Sequence, residues 1–417
     1  MRTWLYLLLA VVLLAAVIPI AGCGGNEANE PYKVGAIFAS TGFNSPLGEP
    51  EKQTVEMMEE QINANGGING HPIHVIAYNN ESVAANCITL ADKLINDDKV
   101  VAIIGPTGTG DSNQILDVCD NAQIPLISCA AGISIVTPYA APATTNDRHW
   151  IFSTPQTSKM VVQRLYDYLN TQNISKIGII TDTAGFGADG KANLTAQASA
   201  YGITITEAQT YGTDDAGMET QLRTIGASNP QAVVCWGTNP GPAIVARNMV
   251  TLGMTIPLFC SHGIAFQSFI DLAGSAANGV IFPAGKLPIA DNLSDTDPQK
   301  ALLVKYRDDF NAKYGNGKAN TFGGHAYDAL SIVVKALEKA VQESPKTINS
   351  NDDTLKAVRA KIRDYIENSI NSTGFSSTGG FPGTGGVFNM SADNHNGLSM
   401  DCLVIVKIVD KKWTLWQ

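Results

Sequence analysis

The sequence predicts an α/β protein of two similar lobes, each a parallel sheet with helices on both faces. Three observations predict it. Buried apolar runs alternate with stretches of helical spacing and with Gly-rich turns, the pattern of parallel strands joined by crossover helices. That rhythm pauses near His149–Thr154 and restarts at Lys176. The length of 417 residues exceeds one average domain. Composition agrees, because 44% hydrophobic and 16% charged residues describe a packed chain and not a disordered one. A net charge of −10 argues against a nucleic-acid partner, whose phosphates need neutralising.

Residues 1–22 read as an export signal: Arg2, an apolar run from Trp4 to Ile20, then Ala21-Gly22 before Cys23. The apolar run is long enough to span a bilayer, but Pro19 and the small residues favour processing. The Ile-Ala-Gly-Cys ending resembles the bacterial lipoprotein signal, which implies that Cys23 is lipidated and becomes the new N-terminus. Residues 23–31 then form a short polar tether.

The first lobe opens with a strand at Tyr32–Ser40 and a turn-rich loop at Thr41–Pro50. Glu51–Ala64 has helical spacing, with Val55, Met58 and Ile62 on one side, and Asn65–Gly70 (NGGING) stops that helix. A strand at Pro72–Tyr78 and a helix at Ser82–Asn96 follow. Val100–Gly105 is a buried strand, PTGTGDS a turn, Asn113–Ala122 a helix and Pro125–Ser128 another buried strand. The second lobe repeats the pattern, with strands at Lys176–Thr181, Ile203–Gln209, Ala232–Trp236 and Pro257–Cys260. Its helices are expected from Lys191, at Met218–Gly226 and at Gly241–Leu252. Further helices are expected at Lys300–Lys313, His325–Gln342 and Thr354–Glu367. After a Gly/Ser-rich loop, Gly386–Met390 and Leu403–Val409, with WTLW at the end, read as a closing hairpin.

In open parallel sheets ligands bind beyond the carboxyl ends of the strands. The loops on those ends are Ser40–Gly48, Gly105–Asp111, Ser128–Gly132, Asp182–Gly190, Gly237–Gly241 and Ser261–Ala265. Gly105–Ser112 stands where a strand ends and a helix begins, so free N–H groups and the helix dipole suit a carboxylate or phosphate. The same glycines also serve a tight connection by permitting positive φ. Competing chemistries find little support. Gly185–Ala192 (GFGADGKA) fits GxxxxGK, but Ala192 offers magnesium no hydroxyl, and Asp182 and Asp189 would crowd the phosphates. No GxSxG elbow or HExxH pair occurs, and His71 and His74 read as a solvated turn. No cysteines form a CxxC pair. Cys235 and Cys260 end successive predicted strands and are candidate neighbours, although buried free thiols are the expected state.

Tyr32–Gly70 (YKVGAIFASTGFNSPLGEPEKQTVEMMEEQINANGGING) resembles the N-terminal signature of the leucine/isoleucine/valine-type periplasmic binding proteins. IIGPTGTG followed by IPLISCAA is similar to that family's next signature. GFG, NPGPAIVARNMVTLGM and GGHAYDAL continue the order, so the resemblance spans nearly all of Tyr32–Val409. It implies two Rossmann-like lobes joined by a three-segment hinge, the type I fold. Residues 32–149 and 284–374 would form lobe 1, and residues 150–283 and 375–417 lobe 2. It also implies a monomeric, non-enzymatic solute-binding protein without metal or cofactor, outside the cytoplasm, serving the permease subunits of an ABC importer. A sensor reporting to a membrane receptor is the alternative.

Residue by residue, the resemblance places Thr109 on the ligand carboxylate together with the backbone at Ala130. Gly132 occupies a position that is often threonine in the family, so one hydroxyl is missing and its backbone N–H must serve alone. Phe186 matches a ligand-stacking tyrosine and keeps the aromatic face without the phenol. Leu47 and Phe322 fall where the amino-acid binders carry tyrosines, and Thr238 lies in a loop that supplies a further aromatic. Trp150 and Trp236 are additional candidate pocket walls. His262 stands where amino-acid binders carry an acid that pairs with the ligand ammonium, and a neutral histidine is a poor counter-charge. The expected ligand is therefore a carboxylate on an apolar, aromatic or branched body, with a branched-chain or hydrophobic amino acid as the alternative.

Overall fold

The computed structural model describes residues 30–137, 148–238, 240–343, 352–368 and 379–416. The export signal and Cys23 lie outside them.

Five described strands build the first sheet: β1 (Tyr32–Phe38), β2 (Ile73–Asn79), β3 (Ile103–Ile104), β4 (Leu126–Ser128) and β5 (Ile151–Ser153). They run parallel in the order β2-β1-β3-β4-β5. β5 corrects the lobe boundary expected at residue 150, because Ile151–Ser153 pairs with Leu126–Ser128 and closes the first sheet. Three residues are too few to show a strand pattern of their own. The second sheet contains β6 (Lys176–Asp182), β7 (Thr204–Tyr211), β8 (Ala232–Trp236), β9 (Leu258–Cys260) and β10 (Ile281–Ala284). After a small ribbon of β11 (Phe381–Pro382) and β12 (Val387–Phe388), β13 (Val404–Val409) and β14 (Lys412–Trp416) complete it. Its order is β14-β13-β10-β9-β8-β6-β7, with β13 and β14 antiparallel. The closing hairpin therefore differs from expectation. β13 pairs with β10 and β14, while Val387–Phe388 pairs with Phe381–Pro382.

The helices are α1 (Ser45–Ala64), α2 (Asn86–Asn96), α3 (Thr109–Asn113), α4 (Leu116–Asn121), α5 (Ile133–Val136), α6 (Ser158–Thr171) and α7 (Gly185–Ala198). They continue as α8 (Glu219–Ala227), α9 (Gly241–Thr251), α10 (Gln267–Ala273), α11 (Lys300–Tyr314), α12 (Thr321–Gln342) and α13 (Asp352–Asn368). α1 starts six residues before its expected start because Pro46 sits in the first turn, where its missing N–H costs nothing. The helix expected over Asn113–Ala122 is two short pieces, α3 and α4. α12 starts at Thr321, capped by the Asn320 side chain accepting from Gly323 N.

The crossings between lobes are tied together by side chains. The Gln156 amide donates to the Gly385 carbonyl at 2.6 Å. The Asn396 amide donates to the carbonyls of Ser153 at 3.1 Å and Pro155 at 2.8 Å. The buried Asp328 carboxylate accepts from the N–H groups of Thr384 and Gly385 at 2.6 and 2.7 Å. A Cβ at Gly285 would come within 2.8 Å of the Gln156 amide, so the second crossing lies against the first. All six described cysteines are free and buried; Cys235 and Cys260 face each other in register on β8 and β9 as thiols.

Candidate ligand-binding site

The carboxyl ends of both sheets face one cavity of about 230 Å³. Lobe 1 lines it with Leu47, Thr107–Asp111, Cys129–Ala131, Phe322 and His325. The facing lobe contributes Asp182, Ala184–Phe186, Thr238, His262 and Gly263, and Pro155 comes from the first crossing. Of the residues singled out in the sequence, Leu47, Thr109, Ala130, Phe186, Thr238, His262 and Phe322 line this cavity. Among the described residues no Lys or Arg does. An anion there has only dipoles and hydroxyls to hold it.

Three expected residues stand outside the lining. Gly132 packs against Thr109, where a Cβ would run into the threonine methyl, so the space of a side chain is already filled. Trp236 is fully buried behind Phe186 and His262, with ring centroids 5.7 and 6.1 Å away. It supports the wall without reaching the cavity. Trp150 is buried on lobe 1 beside the Arg363 guanidinium, 5.2 Å from its ring, with its backbone N–H donating to Asp120 Oδ1. The Ala130 N–H, a candidate ligand donor, donates to the Ser128 hydroxyl at 3.1 Å, and that hydroxyl is 2.8 Å from Ser112 Oγ.

Two helix N-termini meet at the cavity, α3 from lobe 1 and α7 from lobe 2. A Cβ on Gly185 would lie 2.5 Å from Gly110 N and 2.6 Å from its Cα, so the two termini touch backbone to backbone. First-turn N–H groups have no partner within their own helix. At α7 the Asp182 carboxylate satisfies part of that demand, accepting from Ala184 and Gly187 at 2.9 and 3.1 Å. Burial pushes the Asp182 carboxyl up to about 7 against those hydrogen bonds. The Asp189 carboxylate of α7 reaches across to the N–H groups of Ile133 and Ser134 at 3.3 and 3.5 Å, at the start of α5. Leu47 and Phe322 of one lobe cluster with Phe266 of the other, and the two phenyl rings meet edge to face at 5.5 Å. These contacts describe closed lobes.

Beneath the lobe 1 wall, the buried Glu51 carboxylate accepts from Thr107 Oγ1, which in turn accepts from Ala39 N at 3.0 Å. Burial holds the Glu51 carboxyl well above the usual carboxylate range. Asp182 and His325 line the cavity and were not singled out in the sequence. Asp182 was legible as the first residue of the Asp182–Gly190 loop beyond a strand end, and the structure extends that strand by one residue to include it. His325 was hidden because its helix was expected to begin there, whereas it begins at Thr321 and places His325 in its second turn. GFGADGKA runs into α7 as helix, so the nucleotide-type loop its spacing mimics is not formed. Among the described residues no group of His, Cys, Asp or Glu could hold a metal ion.

Residues 31–412 match the family model described as periplasmic binding protein. The chain belongs to the periplasmic binding protein family. The fold likeness agrees with that membership and with the type I architecture. An extracellular ligand-binding receptor from Rhodopseudomonas palustris aligns with TM-score 0.81 at 24% identity, covering 93% of this chain and 99% of that one. LivJ from Streptococcus pneumoniae, a branched-chain amino acid transporter substrate binding protein in complex with isoleucine, aligns with TM-score 0.73 at 20% identity, covering 92% and 97%. By sequence, this periplasmic binding protein is 22% identical over 346 residues to a leucine-, isoleucine-, valine-, threonine- and alanine-binding protein from Pseudomonas aeruginosa, covering 80% of this chain and 86% of the relative.

Proposed function

We propose that this periplasmic binding protein is the solute receptor of an ABC importer, held at the outer face of a membrane by lipid on Cys23. Its solute is a small carboxylic acid with an apolar, aromatic or branched body. The observation that carries this is the convergence of two helix N-termini, one from each lobe, on one closed and mostly apolar cavity. The positive ends of α3 and α7 favour an anion where no Lys or Arg is present. Thr109 supplies a hydroxyl at the same point, and Leu47, Phe186 and Phe322 supply walls for an apolar body. In the cycle that follows from this, lobe 1 takes the acid first through Thr109 and the α3 terminus. Phe186 and His262 then close over it from lobe 2 and exclude water. The names of the relatives support a small acid, and amino acids are the ligands those names give. The neutral His262 in the cavity favours an acid without an ammonium group.

Mass spectrometry of whatever co-purifies with the native chain, followed by calorimetry with the identified compound, tests the proposal. A carboxylic acid of this class is expected. Tight binding of leucine, isoleucine or valine with no binding of organic acids would remove the refinement away from amino acids, and a ligand without an acid group would remove the proposal itself.

A further inference from the structure

We propose that His262 and His325 form a two-lobe recognition site for a neutral group that both donates and accepts a hydrogen bond, so that the preferred solute is a hydroxylated carboxylic acid. This rests on the reading that the cavity takes a carboxylic acid, and it names the second polar group of that acid.

The two rings reach the same cavity from opposite lobes, His262 just after β9 and His325 in the second turn of α12. Both side chains are more than nine-tenths buried. Among the described residues, neither nitrogen of His262, nor Nδ1 of His325, has a hydrogen-bond partner. The Gln156 backbone is the polar group that favours His262 protonation, but it lies outside hydrogen-bond geometry. What fixes the rings is aromatic packing. His262 makes T-shaped contacts with Phe186 and Trp236, at 5.5 and 6.1 Å between centroids, and His325 with Phe322 at 6.0 Å. Buried polar atoms without partners are rare, and each calls for an explanation such as an absent ligand.

The protonation state narrows the ligand. Burial pushes His262 down to about 4 and His325 down to about 3, and each ring's charge would repel the other's. Both are neutral at ordinary pH. A neutral imidazole carries one N–H donor and one bare acceptor nitrogen. Two such rings facing one space offer a donor from one side and an acceptor from the other. An alcohol or phenol answers both at once. A second carboxylate would answer only donors, and no Lys or Arg among the described lining residues would balance its charge. An ammonium would answer only acceptors and needs an ionised carboxylate, whereas burial raises both carboxyls that line the cavity. Asp182 is raised to about 7 with its Oδ1 already accepting from Ala184 and Gly187, and Asp111 is raised with its Oδ2 lacking a hydrogen-bond partner among the described residues.

Calorimetry at pH 7 with matched acids tests this. The sets are 4-methylpentanoate, 2-hydroxy-4-methylpentanoate and leucine; 3-phenylpropanoate, 3-phenyllactate and phenylalanine; and benzoate with 4-hydroxybenzoate. In at least one set the hydroxy acid is expected to bind tenfold or more tighter than its parent acid. That gain, read as the ratio of hydroxy acid to parent acid within each variant, should fall below threefold in His262→Phe and in His325→Phe. His262→Gln and His325→Gln, which keep a donor and an acceptor, should retain part of the gain and remain informative where a Phe variant does not fold. Parent acids that bind with less than a threefold hydroxyl gain in every set overturn the inference while leaving the acid reading intact. So does an amino acid as the tightest member of its set, or a gain that persists in all four variants. No binding of any of these acids overturns both.

Discussion

Thr109 and Gly132 act as one unit. The Gly132 backbone has φ −63° and ψ 125°, a conformation open to any residue, so only space keeps a side chain out. The obstacle is the Thr109 methyl, with Thr109 Oγ1 3.0 Å from where a Cβ would stand. The hydroxyl absent at 132 is thus the counterpart of a methyl present at 109. Gly132→Ala is expected to force Thr109 off its rotamer, lowering stability by about 1–3 kcal/mol, as overpacking does, and weakening binding of the proposed acid solute. Thr109→Ser in the same chain removes the methyl and should restore most of both losses. Urea unfolding and calorimetry on the four chains of this cycle check it, and strictly additive effects would contradict the pairing. At this scale the sequence was readable where chemistry sits at a strand end, as for Thr109, Phe186 and His262. It was silent where volume decides. Nothing local to Gly132 shows that a distant methyl fills its space, and nothing local to Trp236 shows that Phe186 and His262 stand between it and the cavity.

At the level of elements, α7 shows how packing overrides propensity. Its first turns read as GFGADG, and glycine costs roughly 1 kcal/mol relative to alanine inside a helix, so a start at Lys191 is the natural expectation. The helix begins at Gly185 because the neighbours leave no room for side chains. A Cβ at Gly187 would strike the Asp182 backbone, and one at Gly190 would strike the Trp236 indole. Gly185 itself meets Gly110 across the cleft, and the contact is asymmetric. A Cβ at 185 would sit 2.5 Å from Gly110 N, whereas a Cβ at 110 would find its nearest neighbour, Gly185 N, at 3.6 Å. Gly185→Ala should therefore hold the lobes apart and reduce the closed population. Its affinity for the proposed acid solute is expected to fall at least tenfold, because apparent affinity scales with the competent fraction. Gly110→Ala should stay within threefold of the parent. Calorimetry gives the affinities. Small-angle scattering of the ligand-bound chains should show Gly185→Ala more extended than the parent, and equal affinities would mean that this contact does not limit closure.

For the whole molecule, the two-lobed α/β plan was legible because repeated strand–turn–helix units carry it. The crossings were less so, since β5 and β10 are short strands of three and four residues, and β10 takes one of its partners, β13, from the far end of the chain. What no pattern reveals is the set of ionisable groups buried around those crossings and the cleft, and their balance sets the response to pH. Burial raises Asp182 and Asp328 from 3.8 to about 7. The folded chain holds these protons where the unfolded chain releases them, so their contribution to stability is complete below about 4 and is lost as pH rises toward 7. His262 is lowered from 6.5 to about 4 and His325 from 6.5 to about 3. Here the unfolded chain binds protons that the folded chain refuses, so stability is lost as pH falls below 6.5. The two windows overlap with opposite signs, with the raised Glu51 and Asp111 carboxyls on the side of Asp182 and Asp328, so the parent profile mixes the two. Single substitutions should uncover the two halves. His262→Phe removes one histidine contribution, so its stability relative to the parent is expected to climb as pH falls from 6.5 to 4. Asp328→Asn removes one carboxylate contribution, so its relative stability should climb as pH rises from 4 to 7. Each climb should exceed about 1.4 kcal/mol, the value of one pKa unit. Urea unfolding in half-unit pH steps reads both, and because each variant's packing cost does not depend on pH, it is the slope that decides. Flat difference curves would mean that water reaches these groups and that the hinge and cleft are not the dry, tightly packed junction that a closing receptor requires.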